Sequence, residues 1–282
     1  MTAIVLACLS AALFGAMAVA IRLGLRSGEA PEAGTLVMLV VALTVIALNA
    51  GVRGEWDLGR AWPFLVAGLL APGCSQMLFT FAVREAGPSR ASVTVGTAPL
   101  FALAIALVFL GEPVIAGVVV GAVLVVAGGA LLLSERGRPD HFRLAGLGLA
   151  LVATVLFATR DSLIRRLGTR ATHVPPGLAA LATVLSGTVA VAVFLAIRRQ
   201  RVGGRALRSF APAGLLSGVS YVLLFEAFYR GRVSVVSPFV ATETLWAVGL
   251  SALFLRQELV GRRLVLGALV VVAGGVLIGV FR

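Results

Sequence analysis

A carboxylate in the middle of an apolar run is the most pointed chemical feature of the sequence. Glu243 lies about ten residues from either end of the run 233–255. An ionisable group at that depth is costly in hydrocarbon and is a functional candidate by default. Thr242, Glu243 and Trp246 fall within one helical turn, so one face could present all three. Such a carboxylate could meet a substrate ammonium group or take up a proton; the alternative is a carboxylate satisfied by neighbouring helices for structure alone. Arg160 and Asp161 are adjacent inside the run 144–167. An arginine there could hold a substrate carboxylate bidentately, or snorkel to the interface with Asp161 as its local partner. Glu226 stands four residues before Arg230, the spacing of an ion pair on one helix face. Phe14, Met17, Gln76, Phe79, Thr97, Tyr221 and Phe225 would complete a cavity, although each reads equally well as packing. Thr and Ser hydroxyls have a further option, bonding to their own helix backbone.

These residues are rare exceptions in an apolar chain. Of 282 residues 60% are apolar and 13% charged, about half the charge of a soluble domain. All 24 basic residues are arginine. The absence of lysine excludes a P-loop nucleotide motor and a lysine Schiff base to a carbonyl cofactor. The net charge of +12 would suggest nucleic acid in a soluble protein, but the apolar excess makes anionic lipid the simpler partner. Two cysteines in apolar runs, Cys8 and Cys74, and two histidines in polar connections, His141 and His173, build neither a disulfide framework nor a metal site. No cofactor, metal or catalytic residue is expected, and the chain does not read as an enzyme.

Continuous apolar runs, rather than period-two alternation, predict helices, and about 20 residues cross the hydrocarbon. Ten such runs occur, at about 3–25, 33–52, 61–83, 89–110, 114–134, 144–167, 175–197, 210–229, 233–255 and 260–281. The connections are too short for a folded soluble domain. The first run lacks a basic segment before it and a convincing cleavage signal after it, and reads as a retained helix. Pro31, Pro113 and Pro175–Pro176 sit where helices begin, a position that needs no backbone donor. Loops after the odd spans hold 15 arginines and the other side 8, which by the positive-inside rule places the odd loops in the cytoplasm and both termini outside.

The chain repeats itself. Residues 112–131 lie over 258–277 at an offset of 146 with eleven of twenty positions identical, including Glu112/Glu258, Gly121/Gly267 and the pairs Gly128–Gly129 and Gly274–Gly275. Segments around Thr97 and Thr242 match at 145, and Phe14 and Phe157 at 143. The first repeat is assigned to 1–135 and the second to 144–282. Five spans per repeat is an odd number, so the second copy enters the membrane from the opposite side, as in secondary transporters with a midplane site between the halves. The expected fold is therefore all-α and integral to the membrane, ten transmembrane helices as two inverted five-helix repeats. The glutamates before the fifth and tenth spans suit helix N-termini, and the glycines suit close helix packing.

The segments Thr97-Ala98-Pro99-Leu100-Phe101-Ala102 to Gly111-Glu112, and Thr242-Glu243-Thr244-Leu245-Trp246-Ala247 to Gln257-Glu258, resemble the drug/metabolite transporter superfamily in its EamA-type branch. Thr244 stands where the first copy has Pro99, and Gln257 where a glycine is usual. The resemblance spans essentially the whole chain. It implies export of amino acids or related metabolites by alternating access, through a cavity lined by spans 1, 3, 4, 6, 8 and 9. It also implies cytoplasmic termini, opposite to the arginine balance. Candidate substrate-binding residues are Glu243, Trp246, Thr242, Arg160, Asp161, Tyr221, Phe225, Phe14, Met17, Gln76, Phe79 and Thr97. The expected partners are a small-molecule substrate and membrane lipids, without nucleic acid. The chain is expected as a monomer or weak homodimer in the bacterial cytoplasmic (inner) membrane. A lipid or polyprenyl carrier on the same scaffold is the alternative, and a multispan membrane enzyme a more distant one.

Overall fold

The computed structural model describes residues 2–54, 56–101, 104, 115–133, 142–170, 174–231, 233–255 and 260–281. Glu112, Glu258, Pro113, the central connection 134–141 with His141, and His173 lie outside the described residues.

Among the described residues, helices form where the apolar runs predict them. In the first half these are α1 (Thr2–Leu25), α2 (Pro31–Val52), α3 (Trp62–Gly68), α4 (Ser75–Ala86), α5 (Pro88–Val95) and α6 (Ala116–Leu133). The second half has α7 (Leu144–Arg170), α8 (Pro176–Ile197), α9 (Gly204–Arg230), α10 (Val233–Val240), α11 (Glu243–Phe254) and α12 (Arg262–Phe281). Among the described residues eight helical stretches are long and apolar enough to cross a membrane. The shorter apolar α6, and α5 with the helical residues that follow it, bring the number of spans to ten.

Prolines set several starts. Pro31 and Pro176 occupy the first helical position after an extended residue, where a missing N–H is harmless. The α4–α5 corner turns on Gly87 at φ 86°, a left-handed conformation that glycine adopts without a Cβ penalty, and Pro88 then opens α5.

Three spans that read as continuous helices are interrupted. The third runs from α3 to α4 through a π-turn, Leu69–Cys74, in which Ala71 is extended (φ −148°, ψ 120°) before Pro72. The ring of Pro72 cannot continue a regular helix, and the irregular backbone is buried against α8 at Gly187. The fourth and ninth spans break at Gly96–Thr97 and Ala241–Thr242. These positions correspond through the repeat at an offset of 145.

The halves are joined by close packing and by hydroxyl bridges. Where α6 crosses α12, a Cβ on Gly121 would stand 2.8 Å from the carbonyl oxygen of Gly274, and one on Gly128 2.8 Å from that of Gly267. Small residues let these backbones approach, which replaces the hydrophobic drive that lipid removes. Between α1 and α9, Ser10 and Ser220 each donate to the other's carbonyl, at 3.0 and 2.8 Å. At one end of the bundle Glu226 (α9) accepts from Arg230 at 2.7 Å and also pairs with Arg53, beyond the end of α2. The i, i+4 pair expected from the sequence is thus one arm of a two-arginine clamp.

Candidate functional site

The breaks in the fourth and ninth spans carry the same local device. Thr97 donates its hydroxyl to the carbonyl of Thr94 at 2.6 Å, and Thr242 donates to that of Phe239 at 2.6 Å. Backbone bonds through the breaks tighten to three-residue spacing, Thr97 N–H to Thr94 and Thr242 N–H to Phe239. Each carbonyl thus accepts both the backbone N–H and the hydroxyl of the threonine at the break. Thr242 and Thr97, expected to face substrate, instead hold the breaks, and neither lines the cavity described next.

That cavity has an empty volume of about 630 Å³, which includes space open to solvent. Six spans make its wall: the first, third, fourth, sixth, eighth and ninth. The first repeat contributes Phe14, Met17, Gln76, Phe79, Val95 and Ala98. The second contributes the ionisable groups Arg160, Asp161 and Glu243, with Tyr221 and Ser237 and an apolar remainder that includes Phe157. Several lining residues correspond through the repeat: Phe14 with Phe157, Met17 with Arg160, Val95 with Val240, and Ala98 with Glu243. The cavity thus lies between the halves with an apolar wall on one side and a charged wall on the other.

Arg160 is 3% exposed, so its charge must be compensated within the protein. Its Nε and Nη2 donate to one oxygen of Asp161 at 2.9 and 2.7 Å, and its Nη1 donates to the Tyr221 hydroxyl at 2.9 Å. Its guanidinium carbon lies 5.2 Å from the Phe157 ring centroid and 5.3 Å from that of Tyr221, within cation–π range. Arg160 does not snorkel; it is fixed in the cavity wall with Asp161 as counter-charge. Tyr221 is held in turn by the edge of Phe14, with ring centroids 5.5 Å apart and planes at 88°.

Glu243 opens α11 directly after the break. Among the described residues its carboxylate has no hydrogen bond or ion pair, although Asp161 and Arg160 act on it electrostatically. Gln76 is also without a partner at its amide nitrogen, and the residue is 1% exposed.

Eight of the twelve candidates share this cavity: Phe14, Met17, Gln76, Phe79, Arg160, Asp161, Tyr221 and Glu243. Besides Thr97 and Thr242, two others do not. Phe225 is fully buried, its ring 6.4 Å from that of Tyr221 and off the cavity wall. Trp246 is 49% exposed on the outer surface of the bundle. Its Cβ abuts α1 at Gly15, and it is not among the residues that line the cavity. The sequence reading missed Val95, Ala98, Phe157, Leu224, Ser237, Val240 and Ala241. Phe157 and Ala98 could have been found by carrying Phe14 and Glu243 through the repeat.

Ten spans in two halves around a central cavity, with helices broken at matching positions, define a membrane transporter of the inverted-repeat kind. The model of the EamA-like transporter family matches residues 1–134 and again 144–280, and the chain belongs to that family. No curated protein matches it. Among the solved structures, 21 chains match. One of them, described only as the crystal structure of a protein, superposes with a TM-score of 0.70 at 17% identity, covering 98% of this chain and 95% of the other. At that identity the likeness speaks for the fold alone. The protein is a multi-pass integral membrane transporter and not an enzyme.

Proposed function

We propose that this transporter exports amino acids or similar small metabolites by alternating access, with the cavity between the repeats as the substrate site. The single observation that carries the reading is Glu243, an unpartnered carboxylate beside a helix break, in a cavity shared by both halves. A substrate ammonium, or a proton, is the natural occupant of such a group, because an ionisable group without a partner at membrane depth is costly. The apolar wall of Phe14, Met17 and Phe79 suits a hydrocarbon or aromatic body. Arg160, Asp161 and Tyr221 form a polar floor on which the substrate's other groups rest. Export is the direction expected from the resemblance of the sequence to EamA-type transporters. On this reading the protein works in the cytoplasmic membrane of a bacterium, as a monomer or weak homodimer.

Reconstitution into proteoliposomes tests the reading. Counterflow of labelled amino acids should be lost in Glu243→Gln, while the variant inserts and elutes as the parent does. Transport at the parental rate in that variant refutes the role given to Glu243.

A further inference from the structure

We propose that the connection between α8 and α9 is a docking site for the headgroup of an anionic phospholipid, held by Arg198, Arg199, Arg201, Arg205 and Arg208. None of these residues lines the cavity, so the site is independent of what the cavity carries.

Residues 198–208 hold five arginines and no acidic residue, and all five arginines are exposed. Among the described residues none of the five makes an ion pair. Ile197, Val202 and Leu207 stand among them and are exposed as well. Apolar side chains at the ends of two membrane-spanning helices mark the level where hydrocarbon gives way to headgroups. The arginines therefore stand at the depth of lipid phosphates, where basic residues attract anionic lipid. A guanidinium matches a phosphate with paired, charge-assisted hydrogen bonds.

The matching connection of the first repeat has the same turn without the charge. At an offset of 145, residues 53–63 lie over 198–208, with Arg53/Arg198, Gly59/Gly204, Arg60/Arg205 and Ala61/Ala206 identical. After α2, Gly54 donates its N–H to the carbonyl of Gly51 at 3.1 Å; after α8, Arg199 donates to that of Ala196 at 3.0 Å. Both are left-handed, Gly54 at φ 71° and Arg199 at φ 51°. Glycine adopts that conformation freely, and a residue with a Cβ adopts it at a cost. Among the described residues Arg199 is the one non-glycine residue that does so. The first connection sets Glu55 and Asp57 against Arg53 and Arg60 and is neutral, whereas the second carries +5. Its arginines are also engaged, Arg60 with Asp57 at 3.0 Å and Arg53 with Glu226. The turn thus forms without extra arginines, and the fold does not call for them. A strained backbone position that carries an exposed, unpaired charge points to a ligand outside the chain. Because the repeats are inverted, the two connections lie on opposite faces, and lipid is gathered at one of them.

Phosphatidylglycerol and phosphatidylcholine share a phosphodiester and differ in net charge, which makes them the probes. The delipidated full chain in neutral detergent is titrated with each, and binding is read by thermal stabilisation and by native mass spectrometry. Phosphatidylglycerol should bind at least about tenfold more tightly. Arg201→Gln and Arg205→Gln should each weaken it about fivefold, the share of one basic residue at the surface. Arg199→Gly should weaken it as much, while the lipid-free protein unfolds at the same temperature or higher, because the turn is relieved. Arg60→Gln, on the opposite face and beyond a Debye length, should leave it within about twofold.

Equal affinity for the two lipids overturns the proposal, as does phosphatidylglycerol binding that neither Arg199→Gly nor Arg201→Gln weakens. A lower unfolding temperature of lipid-free Arg199→Gly shows an arginine kept for the fold and overturns it too. Displacement of phosphatidylglycerol by an equal concentration of inorganic phosphate makes this a site for free phosphate, and tighter binding of a single-stranded RNA makes it a nucleic-acid surface; either result overturns the assignment to lipid. Glu243→Gln should leave phosphatidylglycerol binding unchanged, so failure here and failure of the cavity reading are separable.

Discussion

Replacing Asp161 by asparagine should both loosen the protein and change what Glu243 does. The substitution keeps the shape and the oxygen that accepts from Arg160 at 2.9 and 2.7 Å, and removes the charge. Taking away one partner of a buried ion pair costs about 3–5 kcal/mol. Here two features reduce that figure. Asparagine still accepts both N–H groups, and Glu243 lines the same cavity as a replacement counter-charge. A loss of about 1–3 kcal/mol remains, the difference between charged and neutral hydrogen bonds taken over two contacts. For a chain of this length that is a fall of roughly 2–12 °C in the apparent Tm, measurable by fluorescence-detected unfolding in detergent. The sharper readout is a double-mutant cycle. In the parent, Glu243→Gln removes an unpartnered carboxylate that Asp161 repels, so stability should hold or rise. In the Asp161→Asn background the same change strips Arg160 of its remaining counter-charge, so stability should fall. The two effects have opposite signs, with a coupling of about 1 kcal/mol or more. Additivity within about 0.5 kcal/mol would show that Glu243 and the Arg160–Asp161 pair do not share one electrostatic environment, and would refute the reasoning.

Two further outcomes follow from the packing. Gly121→Leu should destabilise the bundle by at least about 2 kcal/mol, the cost of overpacking, because even its Cβ would stand 2.8 Å from the Gly274 carbonyl oxygen; Gly129→Leu, with nothing within 4 Å, is the control, and thermal unfolding of the two compares them. Trp246→Leu should leave ligand affinity within about twofold, since the ring lies outside the cavity, whereas Tyr221→Phe, which removes the acceptor of Arg160 Nη1, should lower it about threefold or more; binding titrations on both variants decide.

The span count, the repeat and most of the cavity were legible because they depend on signals that add up along the sequence. Apolar runs set the helices, and the near-constant offset revealed the halves. What stayed hidden were the interruptions. The run containing Ala241–Thr242 is apolar enough to cross a membrane, and only the backbone shows that the helix breaks there, with the hydroxyls of Thr97 and Thr242 bonding back to Thr94 and Phe239. Trp246 shows a different blind spot. Three residues place it on the same side of the helix as Glu243, but sequence does not reveal where α1 crosses that face at Gly15. Arg160 was ambiguous for a related reason. Its position in the span allowed snorkelling, and only the placement of Tyr221 and Phe157 from the folded bundle shows it turned inward.

On the proposed reading of the cavity as the substrate site, its charged groups all come from the second repeat, which divides the labour of recognition between the two copies of the ancestral unit. Substitutions at Phe14, Met17 or Phe79 alter the size and contour of what fits, without touching a charge. Substitutions at Arg160, Asp161 or Glu243 alter which polarity is accepted, without touching the contour. A duplicated gene arranged in this way can explore shape in one copy and charge in the other, and neither search has to undo the other's gains.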